Sequence, residues 1–286
     1  MLHQSALPRT KLGSSGRSIT RLGLGGEGVL RTFGREFEAR AVIEAALAGG
    51  ITYLESARAY RGSESYYGSV LPQFRREALF VASKAYDRTK RGARASLETT
   101  LAAMNLEYLD LWQLHDIREW AEVAELDEPD GAYAAFAEAK AQGLVRYIGV
   151  TGHAAPDVLR AACERVAFDT VLLPINPAEG ASADGFERSV VPAARARGMG
   201  VIGMKVLARG LLVEPHVGVT PGEAIGYALG ADVDTVVIGC DDVAQVEANI
   251  AAARLDPLPA DARLALQERV KRWAPELTYY RHPATV

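Results

Sequence analysis

Eight short apolar runs recur along the chain: ITRLGLG, ITYLE, ALFVASK, DLWQLH, VRYIGV, DTVLLPIN, GVIGMK and TVVIGC. Between them lie segments with apolar residues at helical spacing, among them EFEARAVIEAALAGG, ARASLETTLAAMN, GAYAAFAEAKAQG and FERSVVPAARARG. Several of these close on glycine, as a helix C-terminus prefers. Strands that alternate with helices imply parallel βαβ units, and continuous apolar strands imply burial on both faces. Eight units without a break in composition, in a chain of 286 residues, predict an α/β fold: one closed (β/α)8 barrel, spanning 1–286 as a single domain. RTKLGSSGRSIT before the first run reads as a β-hairpin around Ser-Ser-Gly. PADARLALQERVKRW reads as an extra C-terminal helix, and APELTYYRHPATV as an irregular tail.

Composition narrows the function. The chain is 49% hydrophobic and 24% charged, with a net charge of −4 and no long run of one sign. That balance predicts neither a nucleic-acid nor a membrane surface. No stretch approaches the ~18 apolar residues of a span, and MLHQSALPRTKLG lacks the apolar core of a signal peptide. The two cysteines, Cys163 and Cys240, match no metal spacing and are too few for a disulfide scaffold. A cytoplasmic protein acting on small molecules is the expectation; no metal is expected, and the oligomeric state is not readable.

Three consecutive apolar runs end on ionisable residues: Glu55, Lys84 and His115. In a barrel the strand C-termini line one face, where active sites sit. A buried carboxylate needs a partner, and parallel neighbours lie about 5 Å apart, so Glu55 is expected to pair with Lys84. Tyr60, just beyond Glu55, can turn back over the same mouth. The set has a chemical logic: an ammonium lowers the pKa of a nearby phenol, a carboxylate keeps the lysine charged, and a histidine donates to a substrate oxygen. A strand-end Glu–Lys pair on its own is more often a plain ion pair; the four residues on one rim favour catalysis.

Gly23-x-Gly25-x-x-Gly28 matches the spacing of a dinucleotide-binding turn. That turn requires a helix to open at the glycines. Here VLRTFGRE intervenes, so the match is set aside.

At this point the chain resembles the aldo-keto reductase family over nearly its whole length. KLGSSGRSITRLGLGG, GGITYLESARAYRGSESYYG, FVASK, DLWQLHD, VRYIGVTGH, LLPIN and GVIGMKVLARGLL resemble the family's blocks in order. The resemblance implies reduction of an aldehyde or ketone with NADPH or NADH, or the reverse oxidation of an alcohol. It places Tyr60 as proton donor, Lys84 and His115 beside it, and Glu55 where the family has aspartate. Gly25 marks where backbone approaches the cofactor. Met204 falls where an aromatic often covers the nicotinamide, with Lys205 and Leu207 following. Thr151 and Asn176 match carboxamide positions, and Leu172 replaces the usual glutamine. Gly239, Cys240, Gln245 and Asn249 fall on adenosine-phosphate positions. Asp241 and Asp242 suit a ribose 2′-hydroxyl better than a 2′-phosphate, which favours NAD; Asp242 has a helix cap as its alternative.

Phe33, Trp120, Tyr279 and Tyr280 are candidate pocket walls. The acidic fourth loop, DIREWAEVAELDEPDG, does not invite an anionic substrate. Two other classes compete. One is a cofactor-binding regulatory or interaction protein with weak turnover, favoured by Glu55, Gly152, Leu172 and Met204. The other is a lyase or isomerase using Lys84 as a Schiff-base nucleophile, which the neighbouring Glu55 opposes.

Overall fold

A computed structural model describes residues 6–281. Two short antiparallel strands, β1 (Arg9–Lys11) and β2 (Ser18–Thr20), form the expected hairpin. The eight apolar runs become β3 (Leu22–Gly28), β4 (Tyr53–Glu55), β5 (Phe80–Ala85), β6 (Leu109–Leu114), β7 (Val145–Thr151), β8 (Thr170–Pro174), β9 (Gly200–Met204) and β10 (Thr235–Cys240). They close into a parallel barrel, with β10 pairing β3 to complete the ring. The expected (β/α)8 barrel is the fold of the protein.

Alternation along each strand sorts the apolar residues into two layers. Tyr53, Phe80, Leu111, Leu172 and Ile202 point inward and share one buried cluster with Leu12 and Ile19 of the hairpin region. The hairpin thus plugs one end of the barrel, and the strand C-termini form the other. Outward residues pack beneath the helices: Trp112 of β6 stacks on Phe136 at 3.7 Å. Asp110, outward and fully buried, accepts from Arg76 at 2.6 Å, Arg146 at 3.0 Å and the Val81 amide at 2.9 Å. This pins the starts of β5 and β6, the strands that carry Lys84 and His115.

The helices follow the sequence signals. Helix 90–104 begins where the Thr89 side chain accepts from Gly92 N at 3.1 Å, and ends at Asn105 in the left-handed region, φ 53°. Its buried residues, Ala93, Leu97, Thr100 and Met104, recur every three or four positions. FERSVVPAARARG, expected as one helix, splits into Phe186–Ser189 and Val191–Ala196. Pro192 lacks an amide proton and can enter only the first turn of a helix.

The extra helix is Ala260–Val270. The tail is not irregular as expected. It winds into Ala274–Leu277 and a turn at Tyr279–Arg281, fixed by Tyr280 Oη donating to buried Glu179 at 2.8 Å. The last five residues of that tail and the first five of the chain, read above for a signal peptide, lie outside the described residues. Among the described residues no helix is long and apolar enough to cross a membrane.

Candidate active site

Adjacent strands bring the first pair together. Register sets Glu55 of β4 beside Ala82 of β5, two residues before Lys84. Both side chains are almost completely buried. The Lys84 ammonium donates to Glu55 Oε1 at 2.6 Å and to the Ser56 carbonyl at 2.9 Å. The longer glutamate arm therefore reaches the lysine directly.

A turn that closes from Tyr60 N to Ala57 O at 2.9 Å swings the phenol back over the pair. Its ring centroid lies 4.8 Å from Lys84 Nζ, and the Arg31 guanidinium sits 5.4 Å away. The His115 ring meets Tyr60 edge-on, with centroids 5.9 Å apart. Tyr60, Lys84 and His115 line one cavity of about 560 Å³. Glu55 lines an adjoining cleft of about 500 Å³, which Tyr60 also faces. The four residues singled out from the sequence thus converge at one barrel mouth.

The electrostatics differ from expectation in one respect. Lys84 was expected to lower the Tyr60 pKa. Instead burial, then Glu55 and Glu27, raise it well above the ordinary phenol value of 10, against the opposing charges of Arg31 and Arg209. The reason is that the phenol is buried, which disfavours the charged phenolate, and the Glu55 and Glu27 carboxylates add to that effect. Burial, then the Lys84 charge, lowers His115 well below 6.5, so its imidazole is neutral at pH 7. Its Nδ1 is buried without a partner.

Seven of the proposed cofactor positions line the cleft: Gly25, Met204, Lys205, Leu207, Gly239, Gln245 and Asn249. The glycines matter because strands meet here without side chains. A Cβ on Gly239 would lie 2.7 Å from the Glu27 carbonyl carbon. One on Gly28, at φ +67°, would lie 2.4 Å from the Cys240 oxygen. The G-x-G-x-x-G spacing therefore serves a strand contact, followed by a 3-10 turn at Val29–Arg31 and not by the helix of a dinucleotide fingerprint.

Thr151 lines the larger cavity, and its hydroxyl accepts from Asp116 N at 2.7 Å. Two expectations are corrected. Asn176 is committed elsewhere. Its amide donates to Lys205 O at 3.0 Å and Tyr280 Oη at 3.1 Å, and its oxygen caps the helix at Pro177–Ala181 through Glu179 N at 3.0 Å. Cys240 turns its thiol outward beneath helix 243–253, where Asn249 Nδ2 donates to it at 3.3 Å. Neither residue lines the cleft. Leu172, at the family's glutamine position, sits in the barrel interior. Asp242 caps helix 243–253 by accepting from Gln245 N at 2.8 Å. Only Asp241 of the acidic pair faces the cleft.

Tyr279 and Tyr280 line the larger cavity; Phe33 and Trp120 do not, and both lie exposed. Sequence reasoning missed two clusters. Glu27 accepts from Arg31 at 2.7 Å and Arg209 at 3.0 Å, tying the loop after β3 to the loop after β9 across both cavities. Its partner is 182 residues away, so no local pattern announces the contact. The second centres on Asp116, immediately after His115 and fully buried. It accepts from Arg118 Nε at 2.6 Å and Tyr86 Oη at 3.1 Å, and pairs with His153 Nε2 at 3.1 Å. Burial alone would raise this carboxyl, but His153 and then Arg118 hold it well below the usual range. The spacing in HDIR was the available signal.

Eight parallel strands, a polar rim at their C-termini and a glycine-lined cleft beside it define a barrel with a candidate active site at its mouth. Residues 21–223 match the model of the aldo/keto reductase family, and the chain belongs to that family. It is 27% identical over 280 residues to L-galactose dehydrogenase of Arabidopsis thaliana, covering 84% of this chain and 86% of the relative. D-threo-aldose 1-dehydrogenase of a Pseudomonas species is 27% identical over 238 residues, 70% of each chain. Among solved structures, the holo form of aldo-keto reductase AKR11C1 from Bacillus halodurans superposes with a TM-score of 0.76. It is 24% identical and covers 92% of this chain and 96% of its own. The protein is an oxidoreductase of this family, whose general chemistry is carbonyl reduction.

Proposed function

We propose that the protein interconverts an aldehyde or ketone and its alcohol with a nicotinamide dinucleotide held in the cleft, Tyr60 donating the proton. The observation that carries this reading is the convergence of Tyr60, Lys84 and His115 in a cavity that adjoins a cleft floored by Gly25 and Gly239. The cleft suits such a cofactor: its glycines leave backbone room, and Lys205, Arg31 and Arg209 offer positive charge to phosphates. Met204, Leu207, Gln245 and Asn249 would flank the bound molecule.

A reduced nicotinamide supplies a hydride; the residues of the chain manage the proton. The Tyr60 phenol, protonated throughout neutral pH, gives its proton to the carbonyl oxygen as that oxygen gains charge. The neutral His115 imidazole donates a hydrogen bond to the same oxygen. Lys84 stabilises the phenolate left behind, and Glu55 holds the Lys84 ammonium in place. The commitment of the Lys84 ammonium to Glu55 and the Ser56 carbonyl tells against a Schiff-base role.

The test is titration with NADH and with NADPH, read by nicotinamide fluorescence, followed by a panel of aldehydes, ketones and aldoses. Aldoses are included because two relatives are named as sugar dehydrogenases. Binding without turnover across the panel would favour a regulatory protein instead.

Cofactor choice gives a sharper prediction. Asp241 faces the cleft and repels a 2′-phosphate, so NADH is expected to bind at least as tightly as NADPH. Asp241→Arg should move preference toward NADPH in the same titration. Asp242→Ala should leave preference alone and lower stability by about 1 kcal/mol, the worth of a helix N-cap, in a thermal melt. A preference that follows Asp242 and ignores Asp241 would reverse this assignment.

A further inference from the structure

The acidic fourth loop was expected to disfavour anionic substrates, but none of its carboxylate residues lines the larger cavity, and Asp116, Glu122 and Asp127 are engaged by arginines. Glu122 accepts from the Arg118 and Glu119 amides at 2.6 and 2.9 Å and from Arg88 at 2.7 Å; Asp127 pairs with Arg165. The one carboxylate residue lining the larger cavity is Glu27, already shared by two arginines. Five cationic residues line that cavity: Arg31, Lys84, Arg118, Lys205 and Arg209. The carboxylates that balance Lys84 and Arg118 are buried behind them. The cavity is therefore positive overall.

Arg31, Lys205 and Arg209 also line the cofactor cleft, whereas Arg118 and His153 line the larger cavity alone. Asp116 grips Arg118 through Nε, so the terminal guanidinium nitrogens lie beyond that anchor on a side chain 39% exposed. The same carboxylate holds Tyr86, whose ring packs 4.3 Å from that of His115. Arg118 is thus linked to the imidazole at the reaction centre by three contacts, through Asp116 and Tyr86. A guanidinium held by a buried carboxylate at the wall of a cavity is matched to a carboxylate ligand. His153 flanks it, its Nε2 3.1 Å from the same Asp116 carboxylate, and Lys205 lines the same cavity, its Nζ 5.0 Å from the centre of the Tyr280 ring.

We propose that Arg118, braced by Asp116 and flanked by His153, is an anion subsite that selects carbonyl substrates carrying a carboxylate a few carbons from the reacting carbon. The assignment rests on the carbonyl-reduction reading and names its substrate class: oxo-acids.

The test compares 4-oxobutanoate with its methyl ester, which keeps the chain and removes the charge, on protein saturated with the tighter cofactor. The acid should be preferred in kcat/KM by about ten- to a hundredfold, the range of one charge-assisted hydrogen-bonded pair, expressed mostly in KM. Arg118→Gln should bring the acid down to the level of the ester, and Arg118→Lys should restore part of the preference. An ester turned over as well as the acid by the parent protein overturns the subsite while leaving carbonyl reduction standing. Equal losses on both compounds in Arg118→Gln do the same. Calorimetry with succinate, which cannot be reduced, reads the subsite independently of turnover. If neither aldehyde reacts, the functional reading fails. The subsite then stands if succinate binds the parent and loses at least tenfold in affinity to Arg118→Gln, and falls if it does not.

Discussion

Glu55→Gln should lower the turnover number by about a hundredfold or more, the scale at which a small misplacement of catalytic groups is felt. Glu55→Asp should cost far less. The amide keeps the size of the side chain and removes its charge. Lys84, 1% exposed, would then hold its ammonium against the Ser56 carbonyl and no carboxylate. Removing one member of a buried ion pair typically costs about 3–5 kcal/mol. Without its carboxylate partner the ammonium loses the contact that holds it beside the Tyr60 phenolate. Aspartate retains the charge and shortens the arm by one methylene, so the 2.6 Å contact lengthens but the ion pair is kept. Steady-state kinetics at pH 7, with a thermal melt alongside, check this. If Glu55→Gln works as fast as the parent, Glu55 is packing material and the proton-transfer scheme argued above is wrong.

That Glu55 and Lys84 meet was legible because it needs only local information. Each ends an apolar run, and parallel strands consecutive in sequence sit side by side. His115 followed by the same logic on the next strand. The barrel itself was legible for a related reason: strand and helix periods alternate eight times, and a buried parallel sheet tolerates few polar positions. What could not be read were contacts between remote loops. Glu27 meets Arg209 because β3, which carries Glu27, and β9, after which Arg209 lies, flank β10 in the closed ring. Their spacing along the chain carries no trace of that.

The misreadings have a common physical origin. Asn176 and Cys240 occupy positions that the resemblance assigned to the cofactor, yet nearby polar partners claim their side chains first. The loop after β6 looked acidic by composition, yet three of its carboxylates are engaged by Arg88, Arg118 and Arg165 and none lines the cavity. Counting charges in a loop says little about the field in the cavity beneath it. The direction of each carboxylate decides that field, and direction is a property of the folded chain. The expected sign of the Tyr60 shift failed because burial of the phenol, reinforced by Glu55 and Glu27, outweighs the nearby cations, and burial too is a property of the folded chain.

Tyr60→Phe should lower the turnover number by about 10²–10⁴-fold, the usual worth of a positioned general acid, while cofactor affinity holds. The substitution removes one oxygen and keeps the ring that packs beside Lys84, Arg31 and His115, so the cavity wall survives. Parent and variant also differ in their dependence on pH. The Tyr60 phenol has its pKa raised well above 10, so in the free protein it stays protonated across neutral and mildly alkaline pH. His115, lowered well below 6.5, stays neutral over the same interval. Neither group changes charge between about pH 7 and 9, since a shifted group titrates only around its own pKa. Reduction by the parent should therefore show no limb from either residue in that window. It should lose rate only as alkalinity approaches the phenol pKa, where the donor is consumed. The Phe variant, lacking that donor, should take its proton from water. A pH series of single-turnover rates, with fluorescence titration of the cofactor as control, separates the two behaviours. Full turnover in the variant would transfer the acid role to His115 or to water.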